Sequence, residues 1–225
     1  MRAAGASRAW YTSRMQWSDT GIVLSARKHG ETSAIVHLLT AQHGRHAGLV
    51  RGGAGRRVRS VLQAGNEVQL TWRARLSDQL GTFTVELVRA RAADVMHDAA
   101  RLAAYTAATE TVDAALPERE PEAASYTQFA ALLDAIATAE DWPVTYARWE
   151  LGLLAALGFG LEAVAASRVP LLAGQPAPAD PRARQAAVLD ALALTGGYLP
   201  QALAEHRTGL PARARLLERL GRANH

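Results

Sequence analysis

The sequence predicts an α+β chain in two parts, a five-stranded β-barrel followed by an all-helical domain. Three observations predict it. The apolar period is two residues through the front of the chain and becomes helical after about residue 92. Five short β-type runs fall within about 75 residues with turn residues between them, which suits a small closed barrel. The charge divides at the same place: residues 1–91 hold 14 Lys and Arg against 5 Asp and Glu, a net +9, while residues 92–225 hold 11 Arg against 16 Asp and Glu, a net −5.

Composition bounds the rest. Of 225 residues, 49% are apolar, enough for a core, and 20% are charged, so wholesale disorder is not expected. There is no cysteine, which excludes disulfides, thiolate metal sites and a cysteine nucleophile. No apolar run approaches the ~20 residues that span a bilayer. Residues 1–14 carry three arginines and no apolar stretch, so they are not a secretory signal. The first patterned segment begins just after Met15, and 1–15 is expected to be a disordered tail or a misassigned start.

The first strand is expected over Thr20–Arg27, with a turn at Lys28–Glu31 and the second strand over Thr32–Thr40. Gln42–Arg45 is a turn, and His46–Val50 a third strand opening into a glycine-rich loop. A short helix fits within 56–64. Over Asn66–Arg75, Val68, Leu70, Trp72 and Ala74 alternate with polar residues; over Gly81–Val88, Phe83, Val85 and Leu87 share a face. Trp72 and Phe83 are therefore expected in the core, and Trp17 precedes the first strand. Helices are expected from Asp94 to Leu116, from Ala123 to about Ala139, and from an Asp141 cap to Leu157 with Gly158 as terminator. A loop over 162–181 leads to helices over Pro181–Thr195 and Pro211–Gly221.

A basic domain attracts polyanions. Arg45, Arg51, Arg56, Arg57 and Arg59 lie in one short stretch, interleaved with Gly48, Gly52, Gly53 and Gly55. Arginine gives forked contacts to phosphate, and glycine lets backbone approach closely. With Arg27, Lys28, Arg73 and Arg75 they are the candidate phosphate contacts. No Gly-Lys-Ser/Thr follows the glycines, so a nucleotide P-loop is excluded. Asp94, His97 and Asp98 have spacing that would share a helix face, which leaves a metal-dependent nuclease as an alternative. Asp and Glu also collect at helix starts for electrostatic reasons.

The run Thr20-Gly21-Ile22-Val23-Leu24, His29-Gly30-Glu31, Leu38-Leu39-Thr40, His43-Gly44-Arg45 and Val50-Arg51-Gly52 resembles the start of the bacterial RecO family. So do Leu62-Gln63-Ala64-Gly65-Asn66 and, further on, Tyr146-Ala147-Arg148-Trp149-Glu150-Leu151 leading to Leu157-Gly158-Phe159-Gly160-Leu161. The resemblance covers roughly 16–161 and implies an OB-fold domain over 16–91 and a helical domain over 92–225. It also implies a cytoplasmic, nucleoid-associated recombination mediator that is not an enzyme and needs no cofactor, membrane or small-molecule substrate. Its implied partners are single- and double-stranded DNA, the C-terminal tail of the single-strand-binding protein SSB, and RecR. Its implied actions are annealing complementary strands and helping RecA load onto SSB-coated DNA. The acidic SSB tail ends in an apolar residue and needs an apolar pocket rimmed by a cation; Arg148, Trp149 and Leu153 are the candidates. Many family members carry four zinc-binding cysteines after the Gly-Phe-Gly-Leu stretch. This chain has none, so no zinc module is expected. An OB-type RNA-binding module is the other alternative.

Overall fold

The computed structural model describes residues 15–121, 123–161, 168–203 and 209–222. The expected tail at 1–14 lies outside these residues, as do 162–167 of the expected loop. The barrel strands are β1 (Met15–His29), β2 (Ser33–Thr40), β3 (Gly44–Val50), β4 (Glu67–Ala74) and β5 (Thr82–Arg89), with helix α1 (Arg56–Val61) between β3 and β4. They close in the order β1-β2-β3-β5-β4. β3 and β5 meet in parallel, at Leu49–Thr82 and Val50–Phe83, and the other neighbours are antiparallel. This is the OB arrangement that the resemblance implied.

β1 begins at Met15, not Thr20, so Trp17 lies inside it. The strand serves two partners. Met15 to Ile22 pairs with β4, and Gly21 to His29 pairs with β2, so the chain must curl around the barrel. The polar residues Gln16 and Ser18 hid its start; pairing along β4 supplies what apolar alternation does not. A register shift between Val23 and Ser25 accompanies four consecutive buried residues, Gly21 to Leu24. Val23 joins the barrel interior, while Ile22 and Leu24 join the helical core.

The interior holds Val36, Leu38, Val50, Val68, Leu70, Trp72 and Phe83. Trp72 and Phe83 are core residues, as expected. Leu87, further along the same face, is 45% exposed, beside the register shift at Glu67/Val68.

A 3-10 turn (Arg91–Val95) leads into α2 (Ala99–Ala115), α3 (Ala123–Thr138), α4 (Trp142–Ala156), α5 (Pro181–Ala202) and α6 (Pro211–Arg222). The helix expected from Asp94 starts later, because the Asp98 carboxylate accepts from the Ala100 and Arg101 amides and caps α2 there. α5 runs past Thr195, through Gly196 and Pro200. Gly196 makes room for Arg213 of α6, whose Nη1 would lie 2.8 Å from a Cβ there. That guanidinium forks onto the buried Glu150 carboxylate of α4, at 2.7 and 2.8 Å, and Thr195 also donates to it. One buried ion pair thereby joins three helices. Removing either partner alone would leave an unpaired buried charge.

The helical domain packs on the outer face of the barrel. Ile22, Leu24 and Leu39, which point away from the interior, are buried with Val95, Tyr105, Ala108 and Phe129. Arg91 adds a polar weld: it donates twice to Glu67 of β4, at 3.0 and 3.2 Å, and to Asp134 of α3. Asn66 donates to the Ser60 and Val61 carbonyls of α1 and accepts from the Ala92 amide.

Candidate nucleic-acid interface

Six of the nine candidate phosphate contacts share one end of the barrel. Arg27 and Lys28 sit opposite Ile35 and Ala34 of β2. Those residues sit opposite Leu49 and Val50 of β3, after which comes Arg51. The Ala54 amide donates to the Thr32 carbonyl at 3.0 Å, tying the loop after β3 to the β1–β2 turn. α1 then carries Arg56, Arg57 and Arg59, and Lys28 and Arg59 line one small cleft. All six side chains are exposed. None forms a hydrogen bond or ion pair with another described residue.

Arg56 and Arg57 occupy the first turn of α1, where the helix dipole disfavours cations and no carboxylate compensates. Two of the interleaved glycines have a packing role. A Cβ at Gly53 would come within 2.8 Å of Ala34, and one at Gly48 within 2.5 Å of the Phe83 ring, so these two serve packing against the barrel.

Arg73 and Arg75 lie elsewhere, at the far end of β4 and in the loop after it. Both are exposed, and Arg73 Nε donates to Gln16 at 2.8 Å. Arg45 does not belong to either group. Its Nε donates to the Leu116 carbonyl at 2.7 Å and its Nη1 lies 3.4 Å from Asp113, so its guanidinium is spent on the helical domain.

Asp113 is a meeting point that sequence reasoning missed. This buried α2 carboxylate accepts from Ser25 at 3.0 Å and lies 2.6 Å from His37 Nδ1. Ser25 and His37 are cross-strand partners, so only the β1–β2 register brings them together.

The segment after α2 forms a strap. Glu118 bridges to Arg45 of β3, and the Arg119 amide donates to the Arg45 carbonyl at 2.7 Å. The Arg119 guanidinium donates to the Ser77 and Gln79 carbonyls at 2.8 and 3.0 Å. Arg119 holds φ 64°, a left-handed conformation that costs about 1–2 kcal/mol in a side-chain-bearing residue. Gly44 also has a positive φ, 67°, and a Cβ there would lie 2.1 Å from the Glu120 carbonyl, so this motif glycine makes room for the strap.

Beside the strap, His46 is buried among Trp17, Trp72 and Phe83, and neither ring nitrogen has a partner among the described residues. Burial, and then the Arg119 charge, push its pKa down to about 4. Trp17 itself stacks on His43 at 3.8 Å.

The three tail-pocket candidates do not line one open pocket. Leu153 is 4% exposed and belongs to the core, which corrects its expected role. Arg148 donates to the Leu171 and Gln175 carbonyls, and Trp149 packs between Phe129 and Tyr146. Asp94, His97 and Asp98 do not converge either: Asp98 is a cap and Asp94 pairs with Arg89. Among the described residues no group of three His, Asp or Glu is placed to hold a metal. No helix among them is long and apolar enough to cross a membrane.

Fold and charge together define a class: an OB-type barrel with one open cationic end, backed by a helical domain. The family described as "Recombination protein O N terminal" matches residues 15–91, and "Recombination protein O C terminal" matches residues 96–168. The DNA repair protein RecO of Rhodospirillum rubrum is 45% identical, over 92% of this chain and 97% of its own. That of Cereibacter sphaeroides is 41% identical, over 93% and 100%, and that of Rhodospirillum centenum 56%, over 66% and 59%. The chain belongs to the RecO family.

Proposed function

We propose that this chain acts in DNA repair as a recombination mediator that holds DNA on the cationic end of its barrel. A repair function follows from membership of the RecO family. The observation that carries the DNA-holding reading is the set Arg27, Lys28, Arg51, Arg56, Arg57 and Arg59: six cations on one end, none paired with another described residue. Such a surface takes phosphates without reading bases, so binding is sequence-tolerant and strongly salt-dependent. Arg73 and Arg75, exposed at the opposite end of the barrel, are a separate pair of phosphate contacts in this reading, and Arg45 drops out.

The test is the salt dependence of single-strand binding. The log–log slope falls by about 0.7 unit per lost phosphate contact, so an Arg56/Arg57/Arg59 triple alanine variant should lose about 2 units. An unchanged slope removes these residues from the interface.

The finer reading has the chain anneal complementary strands, engage the SSB tail and, with RecR, help RecA onto SSB-coated DNA in the bacterial nucleoid. It requires no cofactor turnover. Annealing of SSB-coated oligonucleotides without any nucleoside triphosphate tests it directly. Arg148 and Trp149 remain the tail contacts in this reading, through the donors and ring edge that their internal contacts leave over. Full tail-peptide affinity in Arg148→Ala would remove Arg148.

A further inference from the structure

The loop joining β4 to β5, residues 75–81, presents large apolar side chains to solvent. Leu76 is 51% exposed and Leu80 40%, and Met15, paired with Ala74 beside them, is 45% exposed. Short surface loops that expose leucine are usually loose, yet this one is held from several sides. Leu76 and Gln79 hydrogen-bond across it, at 3.3 and 3.4 Å. Trp72 Nε1 donates to the Leu80 carbonyl at 3.1 Å, and the Leu49 amide to the Gly81 carbonyl at 3.1 Å. From outside, Arg119 grips the Ser77 and Gln79 carbonyls. The backbone is fixed from within and from the helical domain, and the leucines stay outside.

Charge says what covers them. Arg73 and Arg75 lead into the leucines, against a single carboxylate in the loop, Asp78. Arg73 commits only its Nε, to Gln16, so its terminal nitrogens remain available for an anion. Apolar side chains beside unneutralised arginines match a strand whose bases are uncharged and whose phosphates are not. Leucine and methionine are among the side chains that proteins lay against or between bases.

We propose that this loop is a base-contacting ledge for single-stranded DNA, with Leu76, Leu80 and Met15 against base faces and Arg73 and Arg75 on the adjoining phosphates. It rests on the DNA-binding reading above and adds a contact that the phosphate-tracking end does not provide. Arg119 is a positioning residue: it holds the ledge and touches no DNA.

The experiment compares binding of the full chain to a labelled single-stranded oligothymidylate and to an abasic deoxyribose-phosphate strand of equal length. The wild type should bind the base-bearing strand roughly tenfold more tightly, the order expected for one or two base contacts. Leu76→Ser/Leu80→Ser should abolish that preference and leave the salt slope unchanged. Leu76→Phe/Leu80→Phe should retain or increase it, which separates lost contact from lost fold. Equal wild-type binding to both strands overturns the ledge and leaves the cationic end standing, as does a preference that survives the serine variant. Failure of the wild type to bind either strand overturns both readings. Concentration-dependent self-association lost in the serine variant, without a change in base preference, would make the ledge a contact between copies and overturn the proposal.

Discussion

The two ends of the barrel carry similar residues and use them differently. At the β1–β2 end, Arg27, Lys28, Arg51, Arg56, Arg57 and Arg59 reach solvent without a polar partner among the described residues. At the β2–β3 end, Arg45 and Arg119 are consumed by carbonyls and carboxylates of the strap, α2 and the β4–β5 loop. An arginine count does not distinguish them. The docked helical domain does: α2 supplies the acceptors for Arg45, and the strap carries Arg119 onto the β4–β5 loop, while Arg73 and Arg75 beside that loop stay exposed. A cation that gives up its hydration must be paired, and a cation left in water need not be.

Four measurements break or sharpen that contrast. The largest effect should come from Gly44→Ala, where left-handed backbone and the strap carbonyl 2.1 Å from the new Cβ act together. We expect a loss of roughly 4 kcal/mol in urea unfolding. A loss below about 1 kcal/mol would mean that the strap is not seated on β3.

His46 sets the pH behaviour of the same end. Its folded pKa, about 4, lies below the ordinary 6.5. Between those values the unfolded chain binds the proton and the folded chain does not. Stability is therefore complete above 6.5, falls as the pH drops through that window, and has lost about 3 kcal/mol near pH 4. His46→Phe should remove this part of the pH dependence. Identical stability–pH curves for the two proteins would contradict the burial.

Arg45→Ala should cost about 2 kcal/mol, because the Leu116 carbonyl and Asp113 lose a donor. Its DNA salt slope should match the wild type. A shallower slope would move Arg45 to the solvent-facing population. The smallest stability effect is expected from the Arg56/Arg57/Arg59 triple alanine variant, within about 0.5 kcal/mol of wild type, since those side chains are exposed and make no hydrogen bond or ion pair with a described residue. A triple variant that unfolds readily would show that α1 needs its arginines for packing.

Much of the architecture was legible in the order of residues. Alternation at Val68, Leu70 and Trp72 marked β4, Gly158 marked the end of α4, and the change of period near residue 92 marked the change of architecture. Pairing across the fold was not legible. The start of β1 offers only Met15 and Trp17 as alternating apolar residues before Asp19, and its extent is set by pairing with β4. Ser25, His37 and Asp113 are far apart in sequence and meet only through a strand register and a docked helix. Gly196 inside α5 is the space that Arg213, from another helix, occupies. The candidate site divided the same way. The basic stretch was visible, but which of its members face water was not, and neither were the leucines of the β4–β5 loop.

The sequence by itself determined the fold class, the family and the sign of charge on each part. Those rest on local period, composition and motif order, which are properties of the chain before it folds. Only the tertiary structure decided which cations are open and which are spent, which glycines serve packing, and that His46 is held neutral. Those outcomes depend on desolvation and on partners far away along the chain, which closure of the barrel creates for Gly48, Gly53 and His46 and docking of the helical domain creates for Arg45 and Arg119.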